Sequence, residues 1–151
     1  MIPPAIVELL QAGVSVNVGT RDAAHMPECT RGWGIRVGED RTSVTLLLTE
    51  STSKQTLANL RENRLIAVTC SRPTDHVTCQ LKGTVRRIRP AGTPDREMQR
   101  RWRRAFLGEI MAVGVPAELA EALIMEPAVA VDVTVTDVFA QTPGPGAGEK
   151  V

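Results

Sequence analysis

The residues best placed to do chemistry lie in Leu46–Asn59, LLLTESTSKQTLAN. An apolar run ends there, a hydroxyl-rich loop follows, and the spacing predicts a helix from about Ser53. The first turn of a helix presents unpaired backbone N–H groups and the positive end of the peptide dipole. Ser51, Thr52 and Ser53 add hydroxyl donors and Lys54 adds a cation, which together make a cradle for a phosphate group. The same residue types also serve an ordinary helix cap beside a solvated lysine.

A second stretch, Pro27–Val37 (PECTRGWGIRV), reads as a strand. Alternation puts Cys29, Arg31, Trp33 and Ile35 on one face and Thr30, Gly32, Gly34 and Arg36 on the other. Glycines weaken a strand unless something approaches its backbone closely, and a flat ring system lying along the strand would do so. Arg31 suits a phosphate or carbonyl oxygen. The plainer reading is a barrel strand with Trp33 in the core and a glycine kink. No Ser-His-Asp arrangement, phosphate-binding glycine loop or metal-ligand spacing is present, so any catalytic work falls to a cofactor that the protein positions.

Stepping outward along the chain, helices are predicted at Pro3–Ala12, Ser53–Asn63, Pro94–Val113 and Pro116–Met125. Strands are predicted at Val14–Thr20, Glu28–Val37, Ser43–Leu48, Leu65–Cys70, Val77–Ile88 and Ala128–Phe139, the third buried on both faces and the fifth bent near Gly83. Short connections between the early strands favour antiparallel pairing. The expected architecture is a β-rich α+β fold, a six-stranded antiparallel barrel, closed or nearly closed, with peripheral helices. Residues 1–140 form the domain. Residues 141–151, rich in proline and glycine, form a tail unsuited to helix or central strand.

The chain has 151 residues, 42% hydrophobic and 23% charged, with a net charge of +1. This is one ordinary globular domain, without the field expected of a nucleic-acid or membrane binder. The arginine-rich segment around Trp102 reads as a solvated helix face, with Trp102 and Phe106 packed inward at i and i+4. No apolar run reaches the ~20 residues needed to span a bilayer, and no export signal opens the chain, so a cytoplasmic location is expected. Cys29, Cys70 and Cys79 are read as small buried apolar side chains.

The order VSVNVGTRD, Pro27-led strand, SKQTLANLREN, LIAVTC and CQLKGTVRRI resembles the pyridoxamine-5′-phosphate-oxidase-like FMN-binding split barrels. The small bacterial FMN-binding proteins share the Pro27-to-Trp33 spacing and the Lys54, Thr56, Asn59 helix start. The resemblance implies FMN at the interface of a homodimer, with an unidentified small-molecule or protein redox partner. It implies a phosphate site at Ser51, Ser53, Lys54 and Thr56. Backbone of Thr30, Arg31, Gly32, Trp33, Leu48, Thr49 and Glu50 would line the ribityl chain and ring, and Gln80 or Lys82 would stand as a donor at the ring edge. Gln141, Thr142 and Pro143 would reach across to the partner's flavin. Thr30 and Ile35 stand where the oxidase has a basic residue, with Arg31 and Arg36 one step away, so oxidase activity on pyridoxamine phosphate is not expected. A split-barrel binding module without flavin, or a haem or deazaflavin relative using His25 or His76 in the haem case, are the alternatives.

Overall fold

A computed structural model describes all of residues 1–151. The elements are α1 (Pro4–Gln11), β1 (Ser15–Arg21), β2 (Pro27–Val37), β3 (Ser43–Leu48), α2 (Lys54–Asn63), β4 (Leu65–Ser71), β5 (Thr78–Pro90), α3 (Thr93–Ala112), α4 (Ala117–Leu123) and β6 (Val129–Ala140). A short 3-10 turn, Glu50–Thr52, joins β3 to α2. The strands close into an antiparallel barrel in the order β1-β2-β3-β6-β5-β4. The expected six-stranded split barrel with outer helices is therefore the fold.

Alternation sets what faces inward. Val16 and Val18 of β1, Val68 and Cys70 of β4, and Cys79, Leu81 and Val85 of β5 fill the barrel. Cys70 and Cys79 lie directly opposite each other in the β4–β5 ladder. Cys29 is exposed, against expectation, because its outward-pointing side meets no helix. Helix α2 buries Thr56, Leu57, Asn59 and Leu60. Its Asn59 donates to Thr20 Oγ1 at 3.1 Å and its Asn63 donates to the Arg21 carbonyl at 2.7 Å, pinning the helix to β1.

Helix α3 repeats apolar residues at helical spacing, so Met98, Trp102, Phe106 and Ile110 turn one face toward the barrel. Trp102 stacks on Phe106 with centroids 4.9 Å apart and donates its indole N–H to the Val14 carbonyl at 2.9 Å. At its N-terminus, buried Asp95 accepts from Gly92 N–H at 2.8 Å and is held by Arg89, which also bonds Asp132. The Arg89 guanidinium holds the Asp95 carboxyl below its ordinary value.

Strict alternation along β2 fails at one point. The pairing with β3 shifts between Gly32 and Ile35, so Trp33 and Gly34 together oppose Leu47. This bulge returns Ile35 to the core, on the side of Thr30 and Gly32 rather than that of Arg31. The two glycines are explained by the chain's own packing. A Cβ on Gly32 would stand 2.6 Å from Val16 Cγ1, and one on Gly34 would press on Met98 and Leu47. They do not provide a platform for an outside ring. Gly83 does mark a register shift in β5, and a second shift follows between Val85 and Arg87.

The tail returns along its own β6, where Ala140 N–H donates to Glu149 O at 2.8 Å and Val151 N–H donates to Val138 O at 2.9 Å. Lys150 pairs with Asp137. Strand β3 reaches only as far as Thr134 of β6, and past the Val135 N–H bond to the Thr42 carbonyl the edge of β6 is open for this return. No helix is long and apolar enough to cross a membrane.

Candidate functional site

The corner between β2, β3 and α2 gathers hydroxyls. Thr30 points off β2 and donates to the Thr52 carbonyl at 3.1 Å, and its Oγ1 lies 3.0 Å from Ser53 Oγ. Ser53 is 1% exposed and its side chain caps nothing on α2. The N–H groups of the first turn of α2 therefore lack the usual hydroxyl partner. Two more hydroxyls, Thr49 Oγ1 and Thr56 Oγ1, are buried without any hydrogen-bond partner, on residues 8% and 0% exposed. Buried polar groups are normally paired, so such orphans mark a place where a partner is wanted. Lys54, Glu50 and Ser51 are exposed at the rim. The donor set, orphan hydroxyls, helix-start amides and one ammonium, fits a phosphate monoester.

A different set lines the outside of the barrel. Register alone places Arg31 beside Asn17, Asn17 beside Thr69, Thr69 beside Gln80, and Gln80 beside Phe139, one row across five strands. Gln80 donates to Thr69 Oγ1 at 3.1 Å. From Arg31 to Gln80 the row crosses three strand spacings, about 14 Å at ~4.8 Å each. The next row runs Cys29, Gly19, Ala67, Lys82, Asp137. Over it opens a cleft of about 1060 Å³, floored by Gly19 and Ala67 and flanked by Cys29 and Lys82. Lys82 Nζ sits 4.8 Å from the Phe139 ring centroid. Cys29 is one residue from Thr30 on β2 but faces the other surface of the strand, so the cleft lies on the outer side of β2 and the hydroxyl corner on its inner side.

The residues expected at the site separate into three places. Thr30, Thr49, Ser53 and Thr56 meet at the corner, with Glu50, Ser51 and Lys54 beside them. Arg31 and Trp33 belong to the opposite surface of β2. The Arg31 guanidinium lies 5.9 Å from the Trp33 ring and 5.5 Å from the Phe106 ring, with no carboxylate in contact, and burial pushes it below its ordinary value. Trp33 packs edge-on against Trp102 at 6.5 Å, so the core reading of this tryptophan holds. Gln141 and Thr142 are tied to Thr78 at the start of β5, and Pro143 is exposed. Leu48 contributes no free backbone acceptor, because its carbonyl accepts from Ala128 N–H at 3.1 Å.

Sequence reasoning missed Asn17, Gly19, Ala67 and Thr69. The signal was present: the outward positions of VSVNVGT and LIAVTCS are all small or polar save the first leucine. An outer barrel face without long side chains is a face prepared for cover.

No protein-family model matches the chain, and no curated protein matches it. Solved structures do. HupZ of Group A Streptococcus is 20% identical, with a TM-score of 0.60, covering 98% of this chain and 100% of its own. An F420 reductase is 17% identical at a TM-score of 0.61, covering 91% of this chain and 98% of its own. A pyridoxamine 5′-phosphate oxidase-related, FMN-binding protein from Nostoc punctiforme is 13% identical at a TM-score of 0.53, covering 96% and 87%. HutZ, a haem storage protein of Vibrio cholerae, shares the fold as well. The fold is thus the pyridoxamine-5′-phosphate-oxidase-like split barrel.

Proposed function

We propose that this protein is an FMN-binding flavoprotein, working as a homodimer and passing hydride or electrons between small-molecule or protein partners. The observation that carries the reading is the pair of buried, partnerless hydroxyls on Thr49 and Thr56 beside the open first turn of α2. Lys54, the α2 amides and these hydroxyls would hold the phosphate. The cleft on the outer face, floored by Gly19 and Ala67 and flanked by Cys29, is where a flat ring could lie, and a pocket of that volume is ample for one. Bound there, a flavin would supply the two-electron chemistry. Gln80 and Lys82 stand on the outer face as donors able to stabilise negative charge at a ring edge. A second copy laid over this face would exclude water from the cleft.

FMN is favoured over haem by the phosphate-type corner. The two histidines proposed as axial ligands sit exposed in the turns before β2 and before β5, and neither lines the cleft. The relatives with FMN, F420 or haem in their names share the fold alone, so the choice rests on this chain's own donors.

The test is titration of cofactor-free protein with FMN. Saturable micromolar or tighter binding, with flavin absorbance bleached on reduction, is expected. Lys54→Ala should weaken it about 10- to 100-fold, the ~1.5–3 kcal/mol of a charge-assisted hydrogen bond. Absence of saturable binding, or affinity indifferent to Lys54, overturns the reading. A Soret band on loading with haem under the same conditions would replace it.

A further inference from the structure

At the opposite end of α2 from Lys54 lies a second concavity, of about 240 Å³, lined by Leu60, Arg61, Arg64, Val85, Arg86, Arg87 and Ile88. Four of these seven residues are arginines and none is acidic. All four are exposed and none makes a salt bridge. The carboxylate nearest in register to Arg87 is Asp132, and Arg89 already holds it with its Nε at 3.0 Å.

Local geometry assembles the group. The register shift between Val85 and Arg87 breaks the alternation of β5, so consecutive arginines are both exposed instead of one turning inward. Arg64 ends α2 with φ of 62°, a left-handed conformation that favours glycine, and its carbonyl accepts from Val85 N–H at 2.8 Å. That bond ties the helix end to the strand beside the bulge. Arg61 and Arg64 suit the negative end of the α2 dipole. Arg86 and Arg87 lie on a strand and have no such reason to be there. Guanidiniums gathered at one concavity repel one another weakly through solvent, and an anion bound among them would reverse that repulsion.

We propose that Arg61, Arg64, Arg86 and Arg87 form a binding site for a phosphate anion of the pyrophosphate class, separate from the flavin corner. Guanidinium forks match phosphate oxygens bidentately, and several of them match more than one phosphate group. The concavity lies below the ~300–1,000 Å³ of pockets that enclose a drug-sized ligand. It therefore takes the diphosphate and leaves any organic remainder outside. Free pyrophosphate and a nucleoside diphosphate share this chemistry. The site is independent of the flavin reading.

The experiment is calorimetric titration of the full-length protein, with whatever cofactor it retains, using inorganic pyrophosphate at low ionic strength. One saturable site is expected, weakened by added salt. Arg86→Ala/Arg87→Ala should reduce affinity at least tenfold, and Arg86→Lys/Arg87→Lys should restore part of it. Lys54→Ala should leave it unchanged, and the arginine variants should leave FMN binding unchanged. ADP binding as tightly as pyrophosphate identifies an ester as an equally good source, while ADP binding more weakly identifies the free anion. No saturable pyrophosphate binding overturns the proposal. So does binding that survives both arginine replacements, binding lost with Lys54, or binding of an acidic peptide in place of pyrophosphate.

Discussion

The two flanks of the barrel are finished in opposite ways. Under α3, β2 is sealed by Trp33, Trp102 and Phe106, with Arg31 laid across the rings. Across β1 and β4 the outward residues stay short, as at Asn17, Gly19, Ala67 and Thr69, with Gln80 and Lys82 of β5 standing beside them. The first flank spends aromatic area on holding the fold together. The second leaves its backbone approachable, while the corner of β2, β3 and α2 keeps hydroxyls unpaired. The aromatic packing and the short outward side chains are therefore concentrated on different parts of one small sheet.

The contrast breaks most easily on the sealed flank. Trp102→Ala removes a ring stack, an edge contact and the bond to Val14, and should lower stability by about 3–5 kcal/mol in urea unfolding. A loss under ~1 kcal/mol would mean that the aromatics are not what holds this side.

A smaller loss is expected for Asp95→Asn, about 1–3 kcal/mol at neutral pH and toward the low end because Arg89 reaches solvent. Its sign with pH follows from the direction of the shift. Arg89 and the Gly92 amide hold the folded carboxyl below its ordinary value, so its contribution is full above about pH 4 and disappears as pH falls through the lowered value. Stability curves of the two proteins should thus differ at pH 7 and converge in acid. A gap unchanged below pH 3 would show that the mutation acts through packing instead.

The least effect on stability should come from Thr56→Val. Replacing an unpaired buried hydroxyl with a methyl group is neutral or slightly stabilising, within about 1 kcal/mol. The rise in Tm caused by saturating FMN should nevertheless shrink. If the empty variant is instead strongly destabilised, the Thr56 hydroxyl serves the fold and the separation of roles fails at that corner.

The fold was largely legible because period-2 alternation and turn residues report which way strands face. β3 was bounded correctly and α2 to within a residue, since a hydroxyl loop and Asn63 frame its pattern. The bulge at Trp33–Gly34 was hidden, because an inserted residue leaves the types unchanged while reversing Ile35. The glycines misled for a related reason: Gly32 is small to admit Val16 from inside, and a sequence does not say from which side space is taken. At the site, the hydroxyl corner was readable from local spacing. The Asn17–Thr69–Gln80 row was not, because it exists only once β1, β4 and β5 lie side by side. Nor could the residues say that the tail would turn back.

That return has a consequence of its own. Beyond Val135, whose N–H still donates to the Thr42 carbonyl, β6 has no partner from β3, and a bare strand there would be a template on which other chains could polymerise. Residues 148–151 occupy it, while Pro143 and Pro145 keep the intervening loop from becoming a new template. The last few residues thus act as a guard against aggregation, held by a handful of backbone bonds and one lysine.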